Sequence, residues 1–469
     1  MIKKIYKIFI INVKFILIDF FILISFFFYK CRIFIIGFDN FYLRLLFKYF
    51  NKNNLQESFS LAGFLFKKFN TRISNTDFIS VIFDHSGSKN IGVEINNFSE
   101  MGRIISRKIN NTNDILLITP GPFSRIGHLC NLDYFIKAIR LNLIEAKKII
   151  VSGPVKKYHP GVLKLFKNCS EIEVNDIFYE SKHFKEFSLF NIPSLNSIRI
   201  KDGRFFNIAQ FAYYVTELWS QKHEKPLLSV DSEGLLNTQK ILRLEGLDIL
   251  KDRFVILHVR ESANEKIFNL RNAKFQTYSD AIEFLVNKGL WVIRVGDKNM
   301  SDFNFSSKRF IDLRKHEKQQ EMITYLAAQS FFQVATGSGP MMLNIVFKKP
   351  ILFTNMSPLL SSMGCENDLI VPKMYFREGS KKVVNIKERF HDNFASESSN
   401  YYHKKRIYIE DNSKELLRAS VEEMYNKINL NEKYELSSNQ IKFKEFSKSN
   451  NIAPLIISKQ IEKIFPDFF

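Results

Sequence analysis

Three short polar clusters, each placed directly after an apolar run, carry the chemistry this chain could do. RFVILHVRES (253–262) ends in His258, Arg260 and Glu261; LWVIRVGD (290–297) ends in Gly296 and Asp297; FFQVATGSGP (331–340) ends in Thr336, Gly337, Ser338 and Gly339. An arginine at a strand end offers two donors in fork geometry to phosphate oxygens. A diphosphate leaving group gains negative charge as its bond breaks, and fixed charge aimed at that position is usually the largest catalytic contribution. An Arg260 paired with a surface carboxylate is the plain alternative. His258 shares the face of Arg260 by the two-residue strand period, and serves equally as a hydrogen-bonded structural histidine. The glycines at 337 and 339 let backbone approach a phosphate closely. A helix expected over Met341–Phe347 would aim N–H groups at the same anion; an ordinary strand-to-helix turn is the alternative. Asp297 would accept hydrogen bonds from a ribose or base, or cap the next segment. Arg271 and Asn272 lie in the loop after the first strand, within reach of a ligand or simply solvated.

These clusters need a scaffold that brings strand ends together. The apolar run Phe254–Val259, the runs ending at 297 and 336, and KPILFTN (349–355) read as buried strands, with helices at Tyr278–Lys288 and Gln319–Gln329 between them. Continuous apolar strands separated by helices suit a parallel sheet covered on both faces. Ligands of such sheets sit outside the carboxyl ends of the strands. An earlier α/β segment is also legible: a strand Asp114–Thr119, the turn PGPFSRIG (120–127), a helix His128–Leu143, a strand Lys147–Ser152 and a helix around Pro160–Asn168. Helices are expected at Phe205–Gln221 and Leu235–Leu250, and an amphipathic helix capped by Ser413 over Ser413–Ile428. A strand is expected at Phe78–Phe83. Asn393–Lys405 reads as a polar loop, and the last forty residues are weakly patterned.

Composition bounds the class. The 469 residues suffice for two domains and an extra segment, and 45% hydrophobic with 25% charged residues is ordinary for a globular core. The 68 Lys and Arg against 48 Asp and Glu give a net charge of +20, which favours anionic partners. A chain rich in Phe, Ile, Lys and Asn also arises from A/T-rich coding. The basic residues are dispersed, with no Arg–aromatic stripe of the kind a nucleic-acid groove needs, so no nucleic-acid partner is expected. Cys31, Cys130, Cys169 and Cys365 form no C-x-x-C and accompany no His cluster, which argues against a metal site or a disulfide framework and fits a reducing compartment.

Lys3, Lys4 and Lys7 precede an apolar run, Ile8–Phe28, that contains Asn12, Lys14 and Asp19; Lys30 and Arg32 follow, then Ile33–Phe38. Its length suffices to span a bilayer, which takes about 20 residues, but a central Asp and Lys each cost about 2.5–3.5 kcal/mol there. An interfacial helix gripping anionic lipid with its basic flanks is the preferred reading, with a buried helix as the alternative.

The set SRIGHL (124–129), HVRES (258–262), RNA (271–273), Tyr278 with Ala281-Ile282, GLWVIRVGD (289–297), Asp312, TGSGP (336–340) and PILFTN (350–355) resembles a family of bacterial glycosyltransferases associated with surface-polysaccharide and O-antigen loci. The resemblance covers about 114–370 and is strongest over 253–355. The segment of about 50–112 before the first clear strand departs from the family pattern. The H-x-R tripeptide is similar to the diphosphate-binding motif of GDP-fucose-using fucosyltransferases. The resemblance implies an α/β fold of GT-B architecture, two Rossmann-like domains facing a cleft, and a nucleotide-sugar donor. The expected division is a hydrophobic, basic, helical segment at 1–50, an acceptor domain at 51–200, a helical bridge at 201–250, a donor domain at 251–390 and a helical extension at 391–469.

On that reading Arg125 and Gly127 face the acceptor. An acceptor hydroxyl must lose a proton, and His128, with a reference pKa of about 6.5, is the first candidate base, ahead of Asp133 and Glu261; capping or packing of its helix by His128 is the plain alternative. The expected activity is transfer of a sugar from a nucleotide-sugar to a lipid-linked or cell-surface glycan precursor, without metal or cofactor, at the cytoplasmic face of the inner membrane. A peripheral contact or a single N-terminal anchor would hold it to the anionic surface. Two rivals are a nucleotide-sugar epimerase and a non-catalytic nucleotide- or glycan-binding subunit of a polysaccharide assembly complex. P-loop, G-x-G-x-x-G, G-x-S-x-G, H-E-x-x-H and D-x-D motifs are absent from the expected places.

Overall fold

The computed structural model describes residues 115–118, 123–175, 198–202, 204–223, 225–261, 269–359, 364, 367–380, 382–391, 399–430, 434–449 and 455–469. All of these belong to one compact unit. The expected N-terminal helical segment and the expected strand Phe78–Phe83 lie outside the described residues. Among the described residues no helix is long and apolar enough to cross a membrane.

A first, three-stranded sheet is formed by β1 (Ile115–Ile118), β2 (Lys148–Ser152) and β3 (Ile172–Asn175), all parallel and in that order. Two helices follow β1: α1 (Ile126–Cys130) and α2 (Leu132–Arg140). They replace the single helix expected over His128–Leu143, because the chain turns at Asn131, whose N–H closes back on the carbonyl of His128 at 3.1 Å. Helix α3 (Pro160–Leu165) follows β2, with proline at its start where a missing N–H costs nothing.

A short antiparallel pair, β4 (Ile198–Arg199) and β5 (Phe205–Phe206), leads into α4 (Ile208–Lys222). Asn207 and Gln210 form a reciprocal capping box there. Asp231 caps α5 (Ser232–Leu244) by accepting from the Gly234 N–H at 2.8 Å. That helix stops short of the expected Leu250 because the chain enters the left-handed region at Gly246, φ +89°, which glycine tolerates.

The second sheet has seven strands, all parallel: β6 (Phe254–His258), β7 (Trp291–Arg294), β8 (Phe310–Asp312), β9 (Phe332–Ala335), β10 (Ile351–Met356), β11 (Leu369–Pro372) and β14 (Ile456–Ile457). From one edge their order is β8-β7-β6-β9-β10-β11-β14. The chain thus winds outward from β6 in one direction, returns, and winds outward from β9 in the other. This is the 3-2-1-4-5-6 order of a Rossmann sheet with one edge strand added, and its switch point lies between β6 and β9. Every residue of β6, β7, β9, β10 and β11 is buried, which is why these runs read as continuous apolar stretches. Each large apolar side chain so buried contributes about 1.5–3 kcal/mol.

The helices between these strands are α6 (Ser279–Asn287), α7 (Gln319–Gln329) and α8 (Met341–Val346). A 3₁₀ turn, Phe275–Tyr278, precedes α6, so the helix itself starts one residue later than expected. Strand β12 (Met374–Arg377) pairs antiparallel with β13 (Ile407–Glu410). Between them lie α9 (Ile386–His391) and α10 (Ser399–Lys404), the latter helical where the sequence reads as polar loop. Helix α11 (Lys414–Leu430) packs on α6, and Ser413 caps it through Leu416 N–H at 3.2 Å. Helices α12 (Ser438–Ser449) and α13 (Lys459–Ile464) flank β14. Strand β14, in the stretch where the sequence is weakly patterned, therefore completes one edge of the seven-stranded sheet.

The two sheets meet through helices: α1 packs on α8 and α3 on α7. A Cβ on Gly161 would stand 2.9 Å from the carbonyl oxygen of Gln320. Beside that contact, Lys164 and Asp231 form an ion pair at 3.0 Å, and Tyr325 donates to the same carboxylate at 2.8 Å.

Candidate functional site

The carboxyl ends of β6 and β9 are stitched together at the switch point. Thr336 is completely buried. Its N–H donates to the carbonyl of His258 at 3.1 Å, and its Oγ1 accepts from the backbone N–H of Arg260 at 2.8 Å. The Arg260 side chain is half-buried, and its Nε donates to Asn272 Oδ1 at 3.2 Å. The N–H of Ala273 returns to the carbonyl of Arg260 at 2.9 Å. The loop 269–273 is thereby folded back over the strand end, and it holds the guanidinium at Nε. Arg271 reaches the glycine turn: its Cδ would lie 3.9 Å from a Cβ placed on Gly337. Arg260, Asn272, Arg271, Thr336 and Gly337 thus converge, although they come from separate stretches of the chain.

The other end of the glycine turn meets the first sheet's helices. A Cβ on Gly127 would be 2.8 Å from Gly339 Cα, and one on Gly339 would be 2.5 Å from Ile126 Cγ2 and 3.0 Å from Gly127 N. Two backbones touch here, and both positions exclude a side chain. The small size of Gly339 and Gly127 serves packing between the two sheets' layers. At Gly337 a Cβ would meet nothing nearer than Met356 Sδ at 3.5 Å, an ordinary contact. Ser338 and Gly339 accept from the N–H groups of Met341 and Met342, which closes the first turn of α8. His128 is half-buried on α1, the helix that packs on α8; Arg125, at the amino end of α1, is exposed.

His258 is buried, and its Nδ1 has no hydrogen-bond partner. Burial lowers its pKa to about 4, with the nearby charges of Arg260 and Arg294 acting in the same direction. The imidazole is therefore neutral at neutral pH, and its nearness to Arg260 costs no repulsion there.

Asp133 and Glu261 are both engaged in ion pairs. Asp133 is fully buried and bonded to Lys137 Nζ at 2.5 Å within α2. Burial raises its carboxyl above the usual range, against the opposing pull of Lys137. Glu261 accepts from Arg294 at 3.0 Å, from the Ser301 N–H at 3.2 Å, from the Ser301 hydroxyl at 2.7 Å and from Phe275 N–H at 3.4 Å. It braces the loop after β7 rather than presenting a lone pair. Asp297 is exposed and accepts from Asn299 N–H at 2.9 Å, a local turn. Gly296 is held from both sides by Gln319, which donates to its carbonyl at 2.9 Å and accepts from its N–H at 2.8 Å.

Several supporting residues escaped the sequence reading. Arg294 is 1% exposed; it pairs with Glu261 and Asp312 and lies 3.6 Å from the Phe275 ring centroid. A charged residue inside the run WVIRV was a legible signal that such partners exist. Asn355, at φ +51°, and Asn412 are joined reciprocally, the backbone N–H of each donating to the side-chain oxygen of the other, and Asn355 Nδ2 donates to Tyr278, whose hydroxyl pairs with Thr354 at 2.7 Å. No local pattern could have announced Asn412, because its partners are distant in the chain. Cys130 and Cys169 are buried and free. Among the described residues no three His, Cys, Asp or Glu side chains converge as metal ligands.

No protein-family model matches the chain, and no curated protein matches it either. Among solved structures it is similar to the ADP-heptose LPS heptosyltransferase II of E. coli, with 15% identity, a TM-score of 0.35 and coverage of 60% of this chain and 98% of that one. It is also similar to a glycosyl transferase of family 9 from Veillonella parvula, with 11% identity, a TM-score of 0.34 and coverage of 51% and 80%. A third is the E. coli heptosyltransferase WaaC with ADP, with 13% identity, a TM-score of 0.30 and coverage of 61% and 99%. Likeness at this level transfers neither a residue role nor an activity to this chain.

Proposed function

We propose that this protein is a glycosyltransferase of GT-B type that takes its sugar from a nucleotide-sugar donor. The observation that carries the reading is the Arg260–Thr336–Asn272 assembly at the switch point of a Rossmann-ordered parallel sheet. That is where such sheets bind nucleotides, and Arg260 is preset there by its neighbours. The motif resemblance over 114–370 supports sugar transfer as the chemistry. Arg260 and Arg271 take the donor diphosphate, with Gly337 and Ser338 lining its approach. His258, buried and neutral beside Arg260, and the braced strand end Gly296–Asp297 complete the donor side.

In the reaction the acceptor hydroxyl attacks the anomeric carbon and the bond from sugar to diphosphate breaks. The nucleoside diphosphate leaves with the electron pair, its charge met by Arg260. The proton passes to His128, on the helix that packs against the one following the glycine turn. Arg125 lies on the acceptor side. The acceptor is a lipid-linked or cell-surface glycan precursor, reached at the cytoplasmic face of the inner membrane through the basic, apolar segment 1–50.

The test is turnover of ADP-, GDP-, UDP- and dTDP-sugars by the full chain, with and without bacterial lipid-linked glycan extract, followed by chromatography of the nucleotides. Release of free nucleoside diphosphate only when acceptor is present supports transfer. An altered sugar on an intact nucleotide would instead reveal an epimerase, and binding without turnover a non-catalytic subunit.

A further inference from the structure

Lys373 sits where β11 gives way to β12, at the same carboxyl edge of the sheet as Arg260. Its side chain is 5% exposed. Its Nζ donates to Asp411 Oδ1 at 2.6 Å and to the backbone carbonyl of Asn272 at 2.6 Å. Its own carbonyl is fixed by Arg389 Nη1 at 2.9 Å, from the buried side of α9. A buried ammonium is tolerated only where acceptors replace its water. Here one of those acceptors belongs to the loop that carries Arg271 and Asn272. The Asn272 side chain accepts from Arg260 Nε, and the next residue's N–H holds the Arg260 carbonyl. A continuous chain of contacts therefore runs from Asp411 through Lys373 and Asn272 to Arg260.

We propose that Lys373, held by Asp411, is a positioning residue that pins the 269–273 loop and so presets the guanidinium of Arg260 for an incoming diphosphate. The proposal rests on the reading of Arg260 as the diphosphate ligand. An apolar side chain of similar length would fill the space of Lys373 but leave the Asn272 carbonyl without its donor. The loop would then lift, and Arg260 would have to be ordered at the moment of binding, at the expense of affinity. Arginine at 373 would keep both the charge and a donor for the carbonyl.

Two measurements on the full chain separate this proposal from the reading beneath it. The first needs no ligand: amide hydrogen exchange at Asn272 and Ala273, whose N–H groups close the loop. Lys373→Met speeds exchange at those two amides by about tenfold or more while β6 and β9 stay protected; Lys373→Arg restores the protection. Unchanged exchange overturns the proposal whatever happens to binding. The second is calorimetry with inorganic pyrophosphate, ADP, GDP and UDP. Lys373→Met raises Kd about tenfold in the wild-type background, the scale of a misplaced binding group, and by less than about twofold when Arg260 is already alanine. Equal losses in both backgrounds overturn the coupling. If Arg260→Ala binds these probes as well as wild type, the diphosphate reading falls, while the exchange result still judges the pinning of the loop. Should Lys373→Met not fold, Asp411→Asn gives the same two readouts, since Asp411 is partly solvated.

Discussion

Arg260 and Thr336, 76 positions apart in the chain, are joined across the switch point by a hydrogen bond from the Arg260 N–H to Thr336 Oγ1 at 2.8 Å. Thr336 also donates its own N–H to His258. One buried threonine therefore ties together the carboxyl ends of both central strands and fixes where the arginine leaves the sheet.

Thr336→Val keeps the shape of the side chain and removes the acceptor. The Arg260 N–H is then left unsatisfied, which costs about 1–3 kcal/mol. Urea denaturation should show this loss, and Thr336→Ser should show a smaller one. Equal effects of the two variants would mean that packing, not the hydrogen bond, fixes this position.

The glycines of the 336–339 turn should separate by function. Gly339→Ala places a Cβ 2.5 Å from Ile126 Cγ2 and against the backbone of Gly127, so it should destabilise the fold by about 1–3 kcal/mol. Gly337→Ala meets Met356 at 3.5 Å and should change thermal stability little, while weakening nucleoside diphosphate binding through crowding beside Arg271. Similar melting losses in both variants would contradict this division.

Asp133→Asn should act on stability rather than selectively on turnover. It leaves Lys137, 2% exposed, as an uncompensated buried charge, and breaking such a pair costs about 3–5 kcal/mol. A variant that melts normally but loses kcat would restore Asp133 as a candidate base.

Acid should destabilise the protein through histidines that burial keeps neutral in the fold. His258 has a folded pKa of about 4, against an unfolded value of about 6.5. As pH falls through that window the unfolded chain takes the proton first. Stability is complete above about pH 6.5 and declines toward pH 4, by about 3 kcal/mol for this one group. His159, which caps α3 through Val162 N–H, is depressed to about 4 by burial and contributes in the same window. Urea midpoints at pH 7.5 and 4.5 should show His258→Gln losing only its own share of this dependence. An unchanged dependence would place the titration elsewhere.

The strands were legible because parallel strands buried on both faces must be continuously apolar. The runs Phe254–Val259, 290–297, 331–340 and 349–355 each overlap a strand, and Gln319–Gln329 is a helix with the expected bounds. The short strands toward one edge were not legible: β14 is two residues long and β11, next to it, ends in a proline, so neither leaves a periodic trace. The site was legible in its residue types but not in their pairing. Sequence placed Arg260 and the TGSG turn at strand ends, yet nothing local could show that Gly339 lies against Gly127 or that Lys373 reaches Asn272. Those contacts come from the winding order of the sheet. The same limit explains Asp133 and Glu261: a carboxylate near a glycine turn looks available until its buried cation is seen.

The most direct test of the account is calorimetric binding of ADP, GDP and UDP to wild-type protein and to Arg260→Ala. The account predicts that at least one nucleoside diphosphate binds and that the variant loses about 1.5–3 kcal/mol, roughly a ten- to hundredfold rise in Kd, with an unchanged urea midpoint. Binding of equal strength to the two proteins would contradict it.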